Sequence, residues 1–404
     1  MQLFRKNKRI YLDHAAATPV APEVARAMRP YFSEEYGNAS AIHAEGVAAR
    51  RAIEDARAKL ARLLRVRPSG VIFTASGTES NNLALFGVVD ALIREGRKIE
   101  EIEIIATAIE HPSILRALEV LAERGVTVRY VSVGEDGRID VSVLEAALSI
   151  HTALVVCSYV NSEVGTVEDV KRVTHRVRTY AVTCGKKIHV HLDASQAPLW
   201  LPIQMDSLGV SSMTLDAGKC YGPKGVGILA LQRSGDGLAP QMVGGGQERG
   251  LRAGTENTPL IIGCVAAIAR AVRAWKSRSE AVASLRDFLV HRLLTHIPGV
   301  TLNGSTEHRV ANNVNISIPG IDSEYAVVVL DTQGVAASTK SACAGASSAG
   351  SSVVRVLTGD DTRATSSIRF SLGENTTKHE LKKAANLLAA HVAHMRAFEN
   401  SRQG

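Results

Sequence analysis

Two short segments of this 404-residue chain place an acid and a lysine at the polar ends of apolar runs. Asp193 closes His189-Val-His-Leu-Asp193, and Lys219 lies in Asp216-Ala-Gly-Lys-Cys-Tyr-Gly-Pro-Lys-Gly225. A lysine can hold an aldehyde cofactor as a Schiff base. A carboxylate beside a pyridine nitrogen keeps that nitrogen protonated, so the ring can draw electrons from a bound substrate. The pair is what pyridoxal 5'-phosphate (PLP) requires. Gln196, three residues beyond Asp193, can face the same ring.

Other segments could complete such a site. Thr74-Ala-Ser-Gly-Thr-Glu-Ser-Asn-Asn82 follows a strand-like run and opens a helix. There Ser76, Gly77 and Thr78 could bind an anion through free N–H groups and the helix dipole, although an ordinary N-cap reads the same way. In Glu110-His-Pro-Ser113 the proline suits a helix start, and His111 could stack on a ring or move protons. Asn161-Ser-Glu-Val-Gly165 offers an amide at another strand end. The glycine-rich stretch 244–257, with two arginines and Thr255, could cradle a phosphate or be a solvent loop. Arg369 sits inside the apolar run Ser366–Gly373 and needs an anionic partner, which a substrate carboxylate gripped bidentately would supply.

Cys343 lies among small residues, Lys340-Ser-Ala-Cys-Ala-Gly-Ala-Ser-Ser-Ala-Gly-Ser-Ser352, and is the best nucleophile candidate. Of the other cysteines, Cys157 and Cys264 read as core, Cys184 ends a helix and Cys220 adjoins Lys219. With no C-x-x-C or Cys/His spacing, neither a disulfide framework nor a metal site is expected.

These residues need a scaffold. Strand-like runs alternate with amphipathic helices, at 71–74, 102–107, 126–133, 154–160, 188–192, 212–215 and 226–231. This alternation predicts an α/β fold with a mainly parallel sheet between helices, which places ligands at the carboxyl ends of strands. Beyond about residue 258 the pattern changes to two long helices, strands at 313–318 and 367–372, and a last helix from Lys378. We expect a large domain over 21–258 and a smaller α+β domain over 259–404, with residues 1–20 packing on the latter. Hydrophobic residues make up 45% and charged residues 22%, and no apolar run approaches the ~20 residues of a membrane span. The N-terminus lacks the apolar stretch of a signal peptide, so a cytoplasmic location is expected. The net charge of +7 is dispersed, and 4% aromatics is thin for stacking on single strands, so no direct nucleic-acid binding is expected.

As a set these segments resemble the cysteine desulfurases, PLP enzymes of fold type I in the class V aminotransferase group. The matching pieces run in order: Tyr11–Thr18, Gly37-Asn-Ala-Ser40 with His43, Ser76–Ser80, Glu110–Pro112, Asn161–Gly165, His191–Gln196, Lys219–Gly225, Arg252–Asn257, Ser341-Ala-Cys343 and Ser367–Gly373. The resemblance implies that Lys219 holds PLP and moves protons, and that Asp193 pairs with the ring nitrogen. It implies that His111 stacks on the ring and that Gln196 and Asn161 contact the ring or substrate. Ser76, Gly77 and Thr78 would hold the phosphate, joined by Thr255 of a neighbouring subunit in a homodimer. Asn38 and Arg369 would bind L-cysteine. Cys343 would attack the substrate sulfur, leaving alanine and a persulfide for an acceptor protein, a scaffold or carrier such as those of iron–sulfur cluster assembly or tRNA thiolation. The loop around Cys343 resembles the class whose mobile loop carries sulfur outward. Selenocysteine lyases and class V aminotransferases are the neighbouring readings, and a cofactor-poor scaffold in a sulfur-transfer complex is a third. In one place the chain departs from the family: Asp216-Ala-Gly218 stands where Ser-x-His is usual. An Asp216 carboxylate ~4 Å from the phosphate would cost on the order of 4 kcal/mol at an effective dielectric of ~20.

Overall fold

The computed structural model describes residues 9–233, 237–339 and 350–403. Its strands are β1 (Ile10–Tyr11), β2 (Val71–Thr74), β3 (Glu103–Thr107), β4 (Thr127–Val131), β5 (Thr152–Ser158) and β6 (His189–Asp193). They continue as β7 (Ser212–Asp216), β8 (Gly227–Leu231), β9 (Thr301–Leu302), β10 (Asn313–Ser317), β11 (Val335–Ala336) and β12 (Ser367–Ser371). Seven of them form one sheet in the order β2-β8-β7-β6-β5-β3-β4. Only β8 runs against its neighbours; the other pairings are parallel. Strands β2, β3, β6 and β8 are buried along their whole length and β5 up to its last residue, Ser158, as strands covered on both faces must be.

The covering helices are amphipathic. Pro112–Glu123 buries Ile114, Ala117, Leu118 and Leu121, and Val170–Thr183 buries Val170, Val173 and Val177. Ala44–Leu64 starts at a His43 cap that accepts from the Gly46 N–H and ends at Arg65 with left-handed φ 57°. Residues 22–33 form two helices, Pro22–Met28 and Pro30–Ser33, because Pro30 lacks the N–H to continue the first.

Residues beyond 300 build an antiparallel sheet in the order β12-β10-β9. The helices Trp275–His296 and Lys378–Gln403 lie together in this part of the chain. The N-terminal strand β1 pairs in parallel with β11, three hundred residues away in sequence. Leu12 N–H donates to Ala336 O (3.0 Å) and accepts through its carbonyl from Ser371 N–H (2.7 Å). Among the described residues, no single helix is long and apolar enough to cross a membrane.

Candidate active site

The carboxyl ends of β5, β6 and β7 open on one cleft with a cavity volume of about 120 Å³. Gly77, Thr78, His111, Asn161, Asp193, Gln196, Lys219 and Arg369 all line it. Residues from β6, β7 and β12 thus converge although the last lies in the C-terminal sheet.

Lys219 is held by the turn after β7. Thr18 clamps that turn: its amide and its hydroxyl both donate to Gly218 O (3.0 and 2.9 Å), and the hydroxyl accepts from Tyr221 N–H (2.7 Å). Tyr221 has φ 63°, which is uncommon outside glycine and held here by those bonds. The Lys219 ammonium donates to Ala16 O (2.5 Å), and Gln196 Nε2 donates to Ala15 O (2.9 Å). The N-terminal segment therefore roofs the cleft.

Asp193 ends β6 and is fully engaged. Its Oδ1 accepts from Ser195 N–H and its Oδ2 from Asn81 Nδ2, both at 2.9 Å. Asn81 also donates to Ser113 Oγ (2.8 Å), which lies 2.8 Å from His111 Nδ1. On its other side Asn81 Oδ1 is 3.1 Å from His191 Nε2. The Ser212 hydroxyl bridges His191 Nδ1 and His189 Nε2, at 2.7 Å each. Burial is the main cause that lowers the proton affinity of His111, with Lys219 adding to it and Asp193 opposing.

Gly77–Arg94 starts at the other end of the cleft with a reciprocal cap: Ser76 Oγ accepts from Glu79 N–H (3.1 Å) and Glu79 Oε2 from Ala75 N–H (2.7 Å). The Ser76 hydroxyl thus serves the helix and does not line the cleft; Gly77 and Thr78 do. Gly77 packs closely, since a Cβ there would sit 3.3 Å from Ser195 Oγ and 3.5 Å from Asp216 Oδ2. Asp216 therefore turns its carboxylate toward the helix start. Its Oδ1 accepts from Gly218 N–H (2.8 Å). Burial raises its proton affinity against the pull of Lys219.

The remaining candidates divide. Arg369 is 1% exposed and donates to Asp13 Oδ1 (2.8 Å) and Ser162 O (3.0 Å). Its required anionic partner is thus present in the chain as Asp13, while its Nε is buried without a partner. Asn161 lines the cleft, yet its amide closes its own turn: Nδ2 donates to Ile109 O (2.9 Å), and Oδ1 accepts from Glu163 and Val164 N–H. Asn38 and Thr255 are not part of the lining. The stretch 244–257 is no loose loop. Glu248, at φ 45°, takes two bonds from the buried Arg57 (2.7 and 2.8 Å) and one from Phe73 N–H (2.9 Å). Cys343 lies outside the described residues. Across the gap, Ser351 Oγ donates to Glu163 Oε2 (2.5 Å), and Gly350 has φ 84°, with the Ala364 backbone 2.6 Å from where a Cβ would be.

Asn81, Ser113, Ser195, Thr18 and the Ala15 and Ala16 carbonyls were not expected as site residues. Asn81 carried a signal, four residues after Gly77 on the same helix face; the carbonyls carried none.

The donor set suits PLP at the ring end: one amine, one fixed carboxylate and one imidazole around one cleft. At the far end a helix start with Gly77 and Thr78 suits the phosphate, while Asp216 opposes it. The double variant Asp216→Ser with Gly218→His is expected to tighten PLP binding by ~2–3 kcal/mol, roughly one to two orders of magnitude. Both changes are needed, because a Cβ at position 218 would meet Asp216 Oδ1 at 3.2 Å and Lys224 Cγ at 3.4 Å. Equilibrium dissociation constants of both proteins in one buffer check this, and equal or weaker binding by the variant refutes an impaired phosphate end.

The polar layer under the cleft also shapes stability. Burial pushes His189 down to about 3 and His191 to about 4 from an ordinary 6.5, so the unfolded chain takes up their protons first. Stability then falls as pH drops below about 6.5, by ~1.4 kcal/mol per pH unit for each histidine. Glu110, wholly buried with Thr107 and Ser158 hydroxyls on its oxygens, is pushed up from 4.5 to about 7. It protonates first in the folded state and returns ~1.4 kcal/mol per unit between pH 7 and 4.5. Glu110→Gln removes this offset. Urea unfolding at pH 6.5, 5.5 and 4.5 should show a steeper loss for the variant, and parallel curves would exclude the assignment.

The chain matches the aminotransferase class-V family model over residues 10–383. It is 36% identical over 396 residues to a cysteine desulfurase, IscS, of Dictyoglomus turgidum, covering 98% of each chain. It is 36% identical over 389 residues to a cysteine desulfurase IscS of Neisseria meningitidis, covering 96% of this chain and 93% of the relative. Among solved structures, a NifS-like protein superposes with a TM-score of 0.87 at 33% identity, covering 96% and 100% of the two chains. A structure described as SspA in complex with cysteine gives a TM-score of 0.78 at 30% identity, covering 91% and 100%.

Proposed function

The chain belongs to the class-V aminotransferase family and within it to the cysteine desulfurases, and from that premise we propose that its cleft takes L-cysteine, leaves L-alanine and places the sulfur on Cys343. The observation that carries this reading is the convergence of Lys219, Asp193, His111 and Arg369 on one cleft. PLP, when bound, supplies an electron sink for the bonds around the substrate Cα. The chain supplies the rest. Lys219 would hold the cofactor's aldehyde carbon and afterwards move protons at the substrate. Asp193, fixed by Ser195 and Asn81, would pair with the pyridine nitrogen. Gln196 would orient the ring. Arg369, with Asp13 holding the guanidinium in place, binds the substrate carboxylate, and Asn38 assists.

In the sulfur step the Cys343 thiolate attacks the substrate Sγ. The new S–S bond forms as the substrate Cβ–S bond breaks; the electron pair stays with carbon, and a proton there completes alanine. The persulfide then passes to a thiol of an acceptor protein. We infer a homodimer in which the strapped stretch 244–257 presents Thr255 to the other subunit's phosphate end. Exposed Phe32, Tyr36, Ile42, Met242 and Val243 offer such a contact apolar area. An iron–sulfur scaffold or a tRNA-thiolation carrier as acceptor, and a cytoplasmic location, complete the proposal. Purified protein with PLP, L-cysteine and a reducing thiol should yield alanine and sulfide in equal amounts. A keto acid in place of alanine would instead mark an aminotransferase.

A further inference from the structure

The hydrogen bonds beneath the cleft have only one consistent direction. The Asp193 carboxylate is an acceptor, so the Asn81 group 2.9 Å from it is the NH2. Asn81 Oδ1 then faces His191 Nε2, which must carry the proton. His191 Nδ1 is therefore an acceptor from the Ser212 hydroxyl, and Ser212 Oγ accepts in turn from His189 Nε2. The second Asn81 N–H donates to Ser113 Oγ. That hydroxyl has its own proton left to give, and His111 Nδ1 lies 2.8 Å away. The Ser113 backbone N–H also points at His111 Nδ1 (3.1 Å). Two donors on Nδ1 leave the imidazole proton on Nε2.

We propose that Asn81 is a positioning residue whose one amide fixes the Asp193 carboxylate and, through Ser113, sets His111 with its proton on Nε2. His111 then meets the cleft as an N–H donor with no lone pair to take a proton. It stabilises negative charge that develops there, and proton movement at the substrate falls to Lys219. Burial holds His111 neutral, against Asp193, Glu163 and Asp216 and with Lys219.

The tautomer stands on the chain alone; the consequence for turnover rests on the desulfurase reading, and the test separates them. Nitrogen chemical shifts of histidine-labelled protein without cofactor should show His111 protonated at Nε2 near pH 8. Ser113→Ala should mix the two tautomers, Ser113→Thr should restore the wild-type signal, and Asn81→Ala should mix them as well. Asn81→Ala should also weaken PLP binding, by ~10-fold for one lost hydrogen bond to the charged partner, whereas Ser113→Ala leaves it within a factor of two or so. A His111 proton on Nδ1, or a signal indifferent to Ser113→Ala and Asn81→Ala, overturns the proposal. In turnover, removing a single positioned donor by His111→Ala should cost ~10²-fold in kcat. Glutamine, which can donate but cannot act as a base at neutral pH, should recover much of it. Equal loss in His111→Gln and His111→Ala would return His111 to acid–base duty.

Discussion

Replacing Lys219 by alanine is expected to remove the visible absorbance of enzyme-held PLP and to lower desulfurase turnover by ~10³-fold or more, since both covalent holding and proton transfer are lost. The competing amine is Lys224, five residues on. Lys219 lines the cleft and reaches Ala16 O, while Lys224 is exposed and does not line it. The Thr18 clamp grips backbone atoms of Gly218 and Tyr221, so it survives the loss of the lysine side chain and the fold should be retained. An unchanged absorption spectrum in the variant would sink the assignment. Loss of absorbance together with unfolding, seen by circular dichroism, would call for Lys219→Arg in its place, which keeps the charge and cannot hold an aldehyde.

Cys343→Ala is expected to leave PLP and L-cysteine binding intact and to suppress sulfide release by ~10³-fold or more, the loss expected when a covalent nucleophile is removed. No described thiol can substitute. Cys157, Cys220 and Cys264 are buried, and burial raises the proton affinity of all three, which starves them of thiolate. Cys220 directly follows Lys219, but it is 0% exposed. Cys184 is exposed, but it ends the helix Val170–Thr183 and so leads into the amino end of β6, opposite the end that carries Asp193. Sulfide release at the wild-type rate in Cys343→Ala would mean a route that needs no protein thiol.

The periodicities that made strands and helices legible came from burial, which repeats along the chain, so the α/β alternation and the strand ends carrying Asp193 and Lys219 could be read directly. Ser76, Gly77 and Thr78 were readable as a helix start. The cap by Ser76 was one of the readings the sequence left open; that the Asp216 carboxylate turns toward Gly77 was not legible, because β2 and β7 are brought together only through β8 between them. Arg369 was readable as needing an anion; that Asp13 meets the need, 356 residues away, depends on a parallel pairing of two-residue strands with almost no pattern. Asn161 shows the opposite case, a polar residue at the right place whose amide is consumed by its own turn. Asn81 and Ser113 were hidden in motifs quoted for other residues.

The roof over Lys219 has a consequence for biosynthesis. Residues 10–21 bond to Gly334, Ala336, Gly218, Tyr221 and Ser371, so nearly all of the segment's partners are made long after it. A ribosome adding ~5–20 residues per second leaves this stretch without its partners for some tens of seconds. The seven-stranded sheet, complete by Leu231, can form within that interval. Thr18 and Ala21 have their partners Gly218 and Tyr221 by then, but Gly334, Ala336 and Ser371, which hold residues 10–14, are made later, so full closure of the N-terminal segment waits for them. Such high contact order slows that closure, and it opens a window in which a cofactor could enter a half-built enzyme more freely than a finished one.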